Sequence, residues 1–171
     1  MPVREGGCMD GRLRNMTAVY LLRGSRVLLL YRQGGRVVND VWTGSAGGHF
    51  ERDELNDARA CVLRELNEEL GLRPEDIEGL ALRYIALSGR KGEIRQNYYF
   101  FAKLGRDVDE NLSSSEGTCR WFELDEIHSL AMPYSAKHVM EHYCAEGRRT
   151  DALYVAVSGP EGVRFCALKE F

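Results

Sequence analysis

An acidic segment restricts this chain more than any other feature. Residues 64–72 have the sequence Arg-Glu-Leu-Asn-Glu-Glu-Leu-Gly-Leu, in which apolar residues recur at helical spacing before a glycine. This pattern predicts an α-helix. At 100° per residue, Glu65, Glu68 and Glu69 lie within an arc about 100° wide. Like charges this close repel one another, so the helix needs a cation beside it.

The cation expected among these carboxylates is Mg²⁺, with Mn²⁺ as an alternative. Carboxylate oxygens are hard ligands that suit both ions, and Mg²⁺ usually binds through a few carboxylates together with phosphate oxygens of a substrate. The glycine-rich residues 44–48 allow a loop backbone to approach the same point, and we assign the carbonyl of Gly48 as a further ligand. The segment therefore predicts a phosphate-containing substrate as well as a metal, in preference to a solvated acidic helix face.

This arrangement resembles the sequence signature of the Nudix hydrolase family, in its MutT-like form. Residues 64–72 match the Arg-Glu-x-x-Glu-Glu box of that family, and Gly48 and Glu54 precede the box. The resemblance covers about residues 16–143. Nine residues separate Glu54 from Arg64 where the family usually has seven, a two-residue insertion in the first half of the box. The resemblance implies an α/β fold, the Nudix α/β/α sandwich with a central mixed sheet.

The acidic residues and the arginine of the box account for the expected chemistry. Hydrolysis of a diphosphate linkage requires neutralised phosphate charge, a positioned water and a stabilised leaving phosphate. We predict Glu65, Glu68 and Glu69 as metal ligands, and Glu65, Glu68 and Arg64 as catalytic residues. Arg64 lies four residues before Glu68 and can hold that carboxylate in place. Glu68 is either a third ligand or the base that deprotonates the water, and both roles stay open.

Three residues outside the acidic helix are predicted to complete the site. One helix can surround only one side of a metal cluster, so a carboxylate from the opposite wall is expected. The resemblance implies a loop glutamate a few residues before a tryptophan, which here is Glu116. Arg32, at the end of a predicted strand, is a candidate phosphate contact. Trp42 either stacks on a nucleobase or fixes the long loop at residues 33–47 to the core.

Size, charge and cysteine use narrow the class of protein. The 171 residues, 44% of them hydrophobic, fit one domain at residues 15–171 after a flexible tail at residues 1–14. The net charge of −3 with scattered basic residues argues against a nucleic-acid polymer as partner. No apolar run approaches the roughly 18 residues of a membrane span. Five cysteines without a Cys-x-x-Cys pair indicate a reduced, cytoplasmic protein. A homodimer stays open.

Periodicity predicts the remaining elements. Strands are expected at residues 16–22, 26–32, 80–87, 95–104, 119–122, 153–157 and 163–168. A second helix is expected from residue 133 to about residue 147. His138 and His142, one turn apart on that helix, are interpreted as structural or solvated residues in preference to a zinc site.

The expected function is Mg²⁺-dependent hydrolysis of a nucleoside diphosphate-linked small molecule. The leading substrate is a nucleoside triphosphate similar to 8-oxo-dGTP, which would give a nucleoside monophosphate and pyrophosphate. Dinucleoside polyphosphates and nucleotide sugars stay open. A nucleotide-binding regulatory module without turnover usually has an eroded acidic triplet, and this triplet is complete. An isoprenoid diphosphate isomerase needs a Cys and Glu pair that the sequence does not place.

Overall fold

The strands and helices form one mixed sheet with a helix on each face. The computed structural model describes residues 12–33, 40–90 and 92–168. Within them lie eight strands and two α-helices: β1 (Arg12–Arg23), β2 (Arg26–Arg32), β3 (Val41–Thr43), α1 (Ala58–Leu70), β4 (Ile77–Arg90), β5 (Glu93–Leu104), β6 (Thr118–Glu123), α2 (Tyr134–Ala145), β7 (Leu153–Gly159) and β8 (Gly162–Leu168). The strand order is β3-β2-β1-β5-β4-β7-β8, and β6 pairs with β2. The β1–β5 and β4–β7 pairs are parallel.

Side-chain alternation along β1 separates two hydrophobic layers. Val19 and Leu21 pack in one cluster with Leu66 of α1, whereas Tyr20 packs in the other with Met140 of α2. Successive side chains of a strand point to opposite faces of the sheet, so an apolar run in a central strand supplies both layers. The predicted α/β/α sandwich with a mixed sheet is confirmed.

Both ends of α1 are defined by local chemistry. The Asp57 side chain accepts a hydrogen bond from the Ala60 amide at 2.9 Å, which satisfies one of the free N–H groups of the first turn. Gly71 ends the helix at φ 68°, a left-handed conformation that glycine adopts without steric cost. These two residues define where α1 begins and ends, and the packing of Val62 and Leu66 against the sheet sets the direction of its carboxylates.

Several predicted boundaries need correction. Residues 12–14 of the predicted tail belong to β1, while residues 1–11 lie outside the described part of the chain. The predicted loop at residues 33–47 contains β3, which pairs with the end of β2, and its residues 34–39 are also outside the described part. β3 is too short to show a local pattern, and it is ordered by the backbone groups that β2 presents.

The described helices and cysteines bear on two points of the sequence analysis. Within the three described ranges, no helix is long and apolar enough to cross a membrane. Cys61, Cys119, Cys144 and Cys166 are free thiols. Cys8 lies outside the described residues.

A buried arginine ties β4 to the segment after α2. Arg83 is only 8% exposed. Its guanidinium donates to the carbonyls of Gly147 at 2.8 Å and Ala152 at 3.3 Å, and also to that of Thr150. These carbonyls belong to the turn that leads into β7, so Arg83 positions the parallel β4–β7 pair.

We predict that Arg83→Met lowers the free energy of unfolding by about 2–4 kcal/mol, because buried carbonyls lose charge-assisted hydrogen bonds. Urea denaturation measures the change. The control is Arg59→Met, which removes an exposed arginine bonded to one carbonyl and is expected to cost less than about 0.5 kcal/mol. Equal stabilities of the two variants would contradict the role of Arg83.

Candidate active site

The three carboxylates of α1 differ in burial. The side chains of Glu65 and Glu69 are 11% and 5% exposed, whereas that of Glu68 is 56% exposed. Glu65 and Glu69 lie one helical turn apart on the side that faces the sheet, and Glu68 lies toward solvent. The structure therefore distinguishes two inner carboxylates from one outer carboxylate, which the sequence did not.

Arg64 holds the acidic face together. Its Nη1 donates to Glu65 Oε1 at 2.8 Å and to Glu68 Oε2 at 2.9 Å. Its Nε and Nη2 donate to the two oxygens of Glu54 at 2.7 and 3.0 Å, so Glu54 reaches Arg64 across the nine-residue spacing. These hydrogen bonds lower the pKa of Glu54 to about 2 and raise the pKa of Arg64. Glu54 and Arg64 form a fixed ion pair that orients Glu65.

Arg32 gathers oxygen atoms from three separate segments. Its Nη2 lies 2.9 Å from Glu69 Oε1, 2.6 Å from Glu116 Oε2 and 3.4 Å from the Gly47 carbonyl oxygen. Arg32 ends β2, whose Tyr31 is paired with the first residue of β6. That pairing brings the loop before β6, and with it Glu116, to the end of β2. The predicted carboxylate from outside the helix thus lies against Glu69.

The carbonyl groups of Gly47 and Gly48, which precede α1, face different groups. The Gly48 carbonyl accepts the Thr17 amide at 2.8 Å, so it is turned toward β1. The Gly47 carbonyl instead faces Arg32, and the Gly47 amide donates to Glu69 Oε2 at 3.1 Å. The carbonyl predicted as a ligand, that of Gly48, therefore faces β1, and the carbonyl that faces the acidic cluster is that of Gly47. Gly48 still matters, because a Cβ there would collide with the Glu65 carboxylate.

Burial raises the pKa values of the inner carboxylates. Burial, opposed by Arg32 and assisted by the neighbouring Glu116, raises the pKa of Glu69 to about 8. Burial also raises the pKa of Glu65, against the opposing effect of Arg64. Both carboxylates are therefore costly to ionise until more positive charge reaches them.

Negative charge exceeds positive charge at this point of the molecule. Five carboxylates meet two guanidinium groups, which leaves a net charge of −3 when all are ionised: Glu54, Glu65, Glu68, Glu69 and Glu116 with Arg32 and Arg64. Within the described ranges, no three acidic, histidine or cysteine side chains already surround a single point as metal ligands. The arginines occupy those oxygens instead. The oxygen atoms around the Arg32 guanidinium are hard ligands, and such a set of ligands fits a divalent cation.

A cavity of about 1070 Å³ opens beside this acidic cluster. It extends from Gly47 and Glu116 past β5 to the start of α2 and the end of β7. Trp42 is not among its lining residues in the described part of the chain. Its ring packs 4.8 Å from that of Tyr31 and 4.6 Å from that of Phe122. These contacts fix β3 to the core through Trp42, and a contact of Trp42 with the substrate stays a prediction.

Several polar lining residues were missed by sequence reasoning. They are Arg14 of β1, Ser88 of β4, Arg95 and Asn97 of β5, and Ser158 of β7. Polar residues at alternate positions of a mostly buried strand, such as 95 and 97, are the one local signal that they face a site. Their convergence depends on pairing between distant strands.

The histidine pair of α2 has local partners. His142 Nδ1 lies 3.0 Å from the Tyr84 hydroxyl, and its ring stacks on Phe165. His138 Nδ1 lies 3.0 Å from the Tyr134 carbonyl oxygen. These contacts favour structural roles for both histidines.

Comparison with known proteins assigns the chain to a family. The NUDIX domain family matches residues 12–143, so this protein belongs to the Nudix family of pyrophosphohydrolases. No curated protein sequence matches it significantly. Its fold is similar to that of the MutT protein of Bacillus halodurans, at 21% identity and a TM-score of 0.64 over 89% of this chain and 97% of that one. It is also similar to the Ap4A hydrolase of C. elegans, at 21% identity and a TM-score of 0.59 over 78% and 96%.

We predict that Gly48→Ala lowers kcat by about 10²-fold, because displacement of the Glu65 carboxylate misplaces the reacting groups. Steady-state kinetics and a thermal melt measure activity and folding together. Gly89→Ala is the control, since Gly89 lines the same cavity and its added Cβ would meet no atom within 4 Å. Unchanged turnover of Gly48→Ala would show that Glu65 tolerates displacement.

Proposed function

We propose that this protein hydrolyses a nucleoside diphosphate-linked small molecule with the help of Mg²⁺, or of Mn²⁺ in its place. The observation that carries the proposal is the set of oxygens from Gly47, Glu69 and Glu116 around one guanidinium nitrogen of Arg32. A cationic group already occupies a position where hard oxygen ligands from three segments converge. A divalent cation would take over these oxygens and leave Arg32 free to bind phosphate.

Each residue of the cluster has a role in this proposal. Glu65, Glu69, Glu116 and the Gly47 carbonyl would hold the metal, with Glu68 as an outer ligand or as the base that removes a proton from water. When bound, the metal supplies positive charge for the phosphate oxygens and lowers the pKa of water. Arg64, anchored by Glu54, keeps Glu65 and Glu68 in place. Arg32 binds and orients a phosphate of the substrate.

The leading substrate is a nucleoside triphosphate, cleaved to a nucleoside monophosphate and pyrophosphate. The similarity to the Bacillus halodurans MutT protein supports this choice, and the similarity to the C. elegans Ap4A hydrolase supports dinucleoside polyphosphates as the second candidate. The cavity of about 1070 Å³ has room for a nucleotide with a further group attached.

A substrate panel tests the proposal directly. It contains nucleoside triphosphates including 8-oxo-dGTP, nucleotide sugars, ADP-ribose and dinucleoside polyphosphates, each incubated with Mg²⁺, with Mn²⁺ and with EDTA, and the nucleotide products are separated by chromatography. Metal-dependent cleavage of a diphosphate linkage in at least one class supports the proposal. Absence of cleavage in every class with both ions would overturn it.

We predict that Glu69→Gln lowers kcat by at least about 10²-fold, the scale of losing a group that stabilises transition-state charge. Steady-state kinetics at saturating Mg²⁺ measure the change.

Glu116→Gln should lower kcat/KM by at least about tenfold and weaken activation by Mg²⁺. Titration of activity against Mg²⁺ separates the two effects. Glu126→Gln is the control for both variants, because Glu126 lies in the short turn that follows β6. Wild-type kinetics and Mg²⁺ dependence in either site variant would remove that residue from the site.

The raised pKa of Glu69 gives a pH dependence with a definite sign. A carboxyl whose pKa is raised from 4.5 to about 8 binds a proton on folding, so metal-free protein should lose stability as pH rises between these values. Metal binding must displace that proton, so the affinity for Mg²⁺ should rise with pH and level off near pH 8. Calorimetry in buffers of different ionisation heat measures the released proton. Mg²⁺ binding that weakens from pH 6 to pH 8 would contradict this assignment.

A further inference from the structure

Four polar side chains that line the cavity form a row across the sheet from β1 to β7. Arg14 of β1 is paired in register with Arg95 of β5, and Arg95 is paired with Ser88 of β4. Ser158 of β7 follows Val157, the register partner of the residue before Ser88. All four side chains line the same cavity. We name Arg14, Arg95, Ser88 and Ser158 the Arg14 row.

The two arginines of the row are an unfavourable pair unless an anion lies between them. Side chains paired across neighbouring strands are close, and like charges in such positions destabilise a sheet. One carboxylate, that of Glu93, serves both: it lies 3.7 Å from Arg14 and 3.1 Å from Arg95. The other neighbour of Arg14 is the His49 ring, 2.7 Å away. The row therefore keeps a positive charge beyond what Glu93 neutralises.

The hydroxyl groups extend the row toward β7. Ser158 Oγ is buried and has no hydrogen-bond partner among the residues that the structure describes. A buried hydroxyl without a partner is costly, which indicates a group that binds there and completes its hydrogen bonds. Two guanidinium groups and two hydroxyls are donors suited to the oxygens of a phosphate, which accepts several charge-assisted hydrogen bonds at once.

From this arrangement we infer that the Arg14 row binds a second phosphate group of the substrate, remote from the linkage that is cleaved. The inference rests on the proposed function and narrows its substrate class. The cavity is lined both by Arg32 and Glu116 of the acidic cluster and by the Arg14 row, so one molecule bound in the cavity meets both. The second phosphate belongs either to the far end of a longer phosphate chain or to a phosphate monoester elsewhere on the nucleotide.

Anion binding to the row can be measured without metal or turnover. Protein labelled with ¹⁵N-arginine is titrated with inorganic pyrophosphate in EDTA, and the Nε–H signals are followed by NMR. The signals of Arg14 and Arg95 are expected to shift saturably, while that of Arg73, an exposed arginine paired with Glu75, stays in place. Absence of a saturable shift for Arg14 and Arg95 would overturn the inference.

Variants of the row should change the affinity in opposite directions. Arg95→Gln and Ser158→Ala are expected to weaken pyrophosphate binding by at least about fivefold, because each removes a donor. Glu93→Gln should strengthen it by a similar factor, since it removes the carboxylate that competes for both arginines. Arg73→Gln is the matched control and should leave the affinity unchanged. Weaker binding in Glu93→Gln would overturn the inference, and thermal melts confirm that each variant is folded.

Substrate pairs then identify the source of the second phosphate. NADPH and NADH differ by one phosphate monoester, and adenosine tetraphosphate and ATP differ in chain length. In at least one pair, the ratio of kcat/KM values should favour the longer or more phosphorylated member by about tenfold and should fall toward 1 in Arg95→Gln. Arg73→Gln should keep the wild-type ratio. Ratios near 1 in both pairs would overturn the inference.

The two proposals fail in different ways. If no nucleotide is hydrolysed but pyrophosphate still shifts the two arginine signals, the proposed function is wrong and the anion site stands. If nucleotides are hydrolysed with Mg²⁺ while the arginine signals do not respond and the ratios stay near 1, the anion site is wrong and the proposed function stands.

Discussion

The acidic cluster and its two arginines set the arrangement around which the rest of the site is built. Two inner carboxylates, Glu65 and Glu69, are held in a poorly hydrated position where ionisation is expensive. Arg64 reduces that cost for Glu65, which it contacts at 2.8 Å, and Arg32 reduces it for Glu69, which it contacts at 2.9 Å. Because more carboxylates than guanidinium groups meet there, the cluster remains ready to accept further positive charge.

The sheet places the other components within reach of this cluster. β2 ends in Arg32, and its pairing with β6 carries Glu116 to the same point. The close approach of the 44–48 segment to β1, with Gly47 and Gly48 against Thr17, brings the backbone to the carboxylates with no side chain between them. Tight packing at Gly48 therefore fixes the position of the Glu65 carboxylate, because a single methyl group at Gly48 would occupy its space.

The long cavity links two regions of different charge. One is the carboxylate cluster, suited to a cation, and the other is the Arg14 row, suited to an anion. A substrate with phosphate groups at two positions would meet favourable charge in both regions, which favours one orientation over its reverse. In the proposed function, α1 against the edge of the sheet would carry the chemistry, whereas strand positions that face the cavity would discriminate among substrates.

Much of the fold and of the cluster could be predicted from sequence, because local patterns determine them. The spacing of apolar and acidic residues predicted α1, its end at Gly71 and the shared face of Glu65 and Glu69. The resemblance to the Nudix family predicted the sandwich. Glu116 was predicted from the need for an opposing carboxylate and from the family resemblance, and the structure brings it against Arg32.

Only the tertiary structure decided which groups at other points of the chain meet. The choice of the Gly47 carbonyl over that of Gly48 depends on a hydrogen bond to Thr17, and the core position of Trp42 depends on Tyr31 and Phe122. The pairing of Arg14 with Arg95 depends on the register of two strands about eighty residues apart in sequence. The sequence determined the helices and strands through short-range periodicity. Which distant side chains meet is set by strand register and by packing on the two faces of the sheet, and no local pattern encodes either.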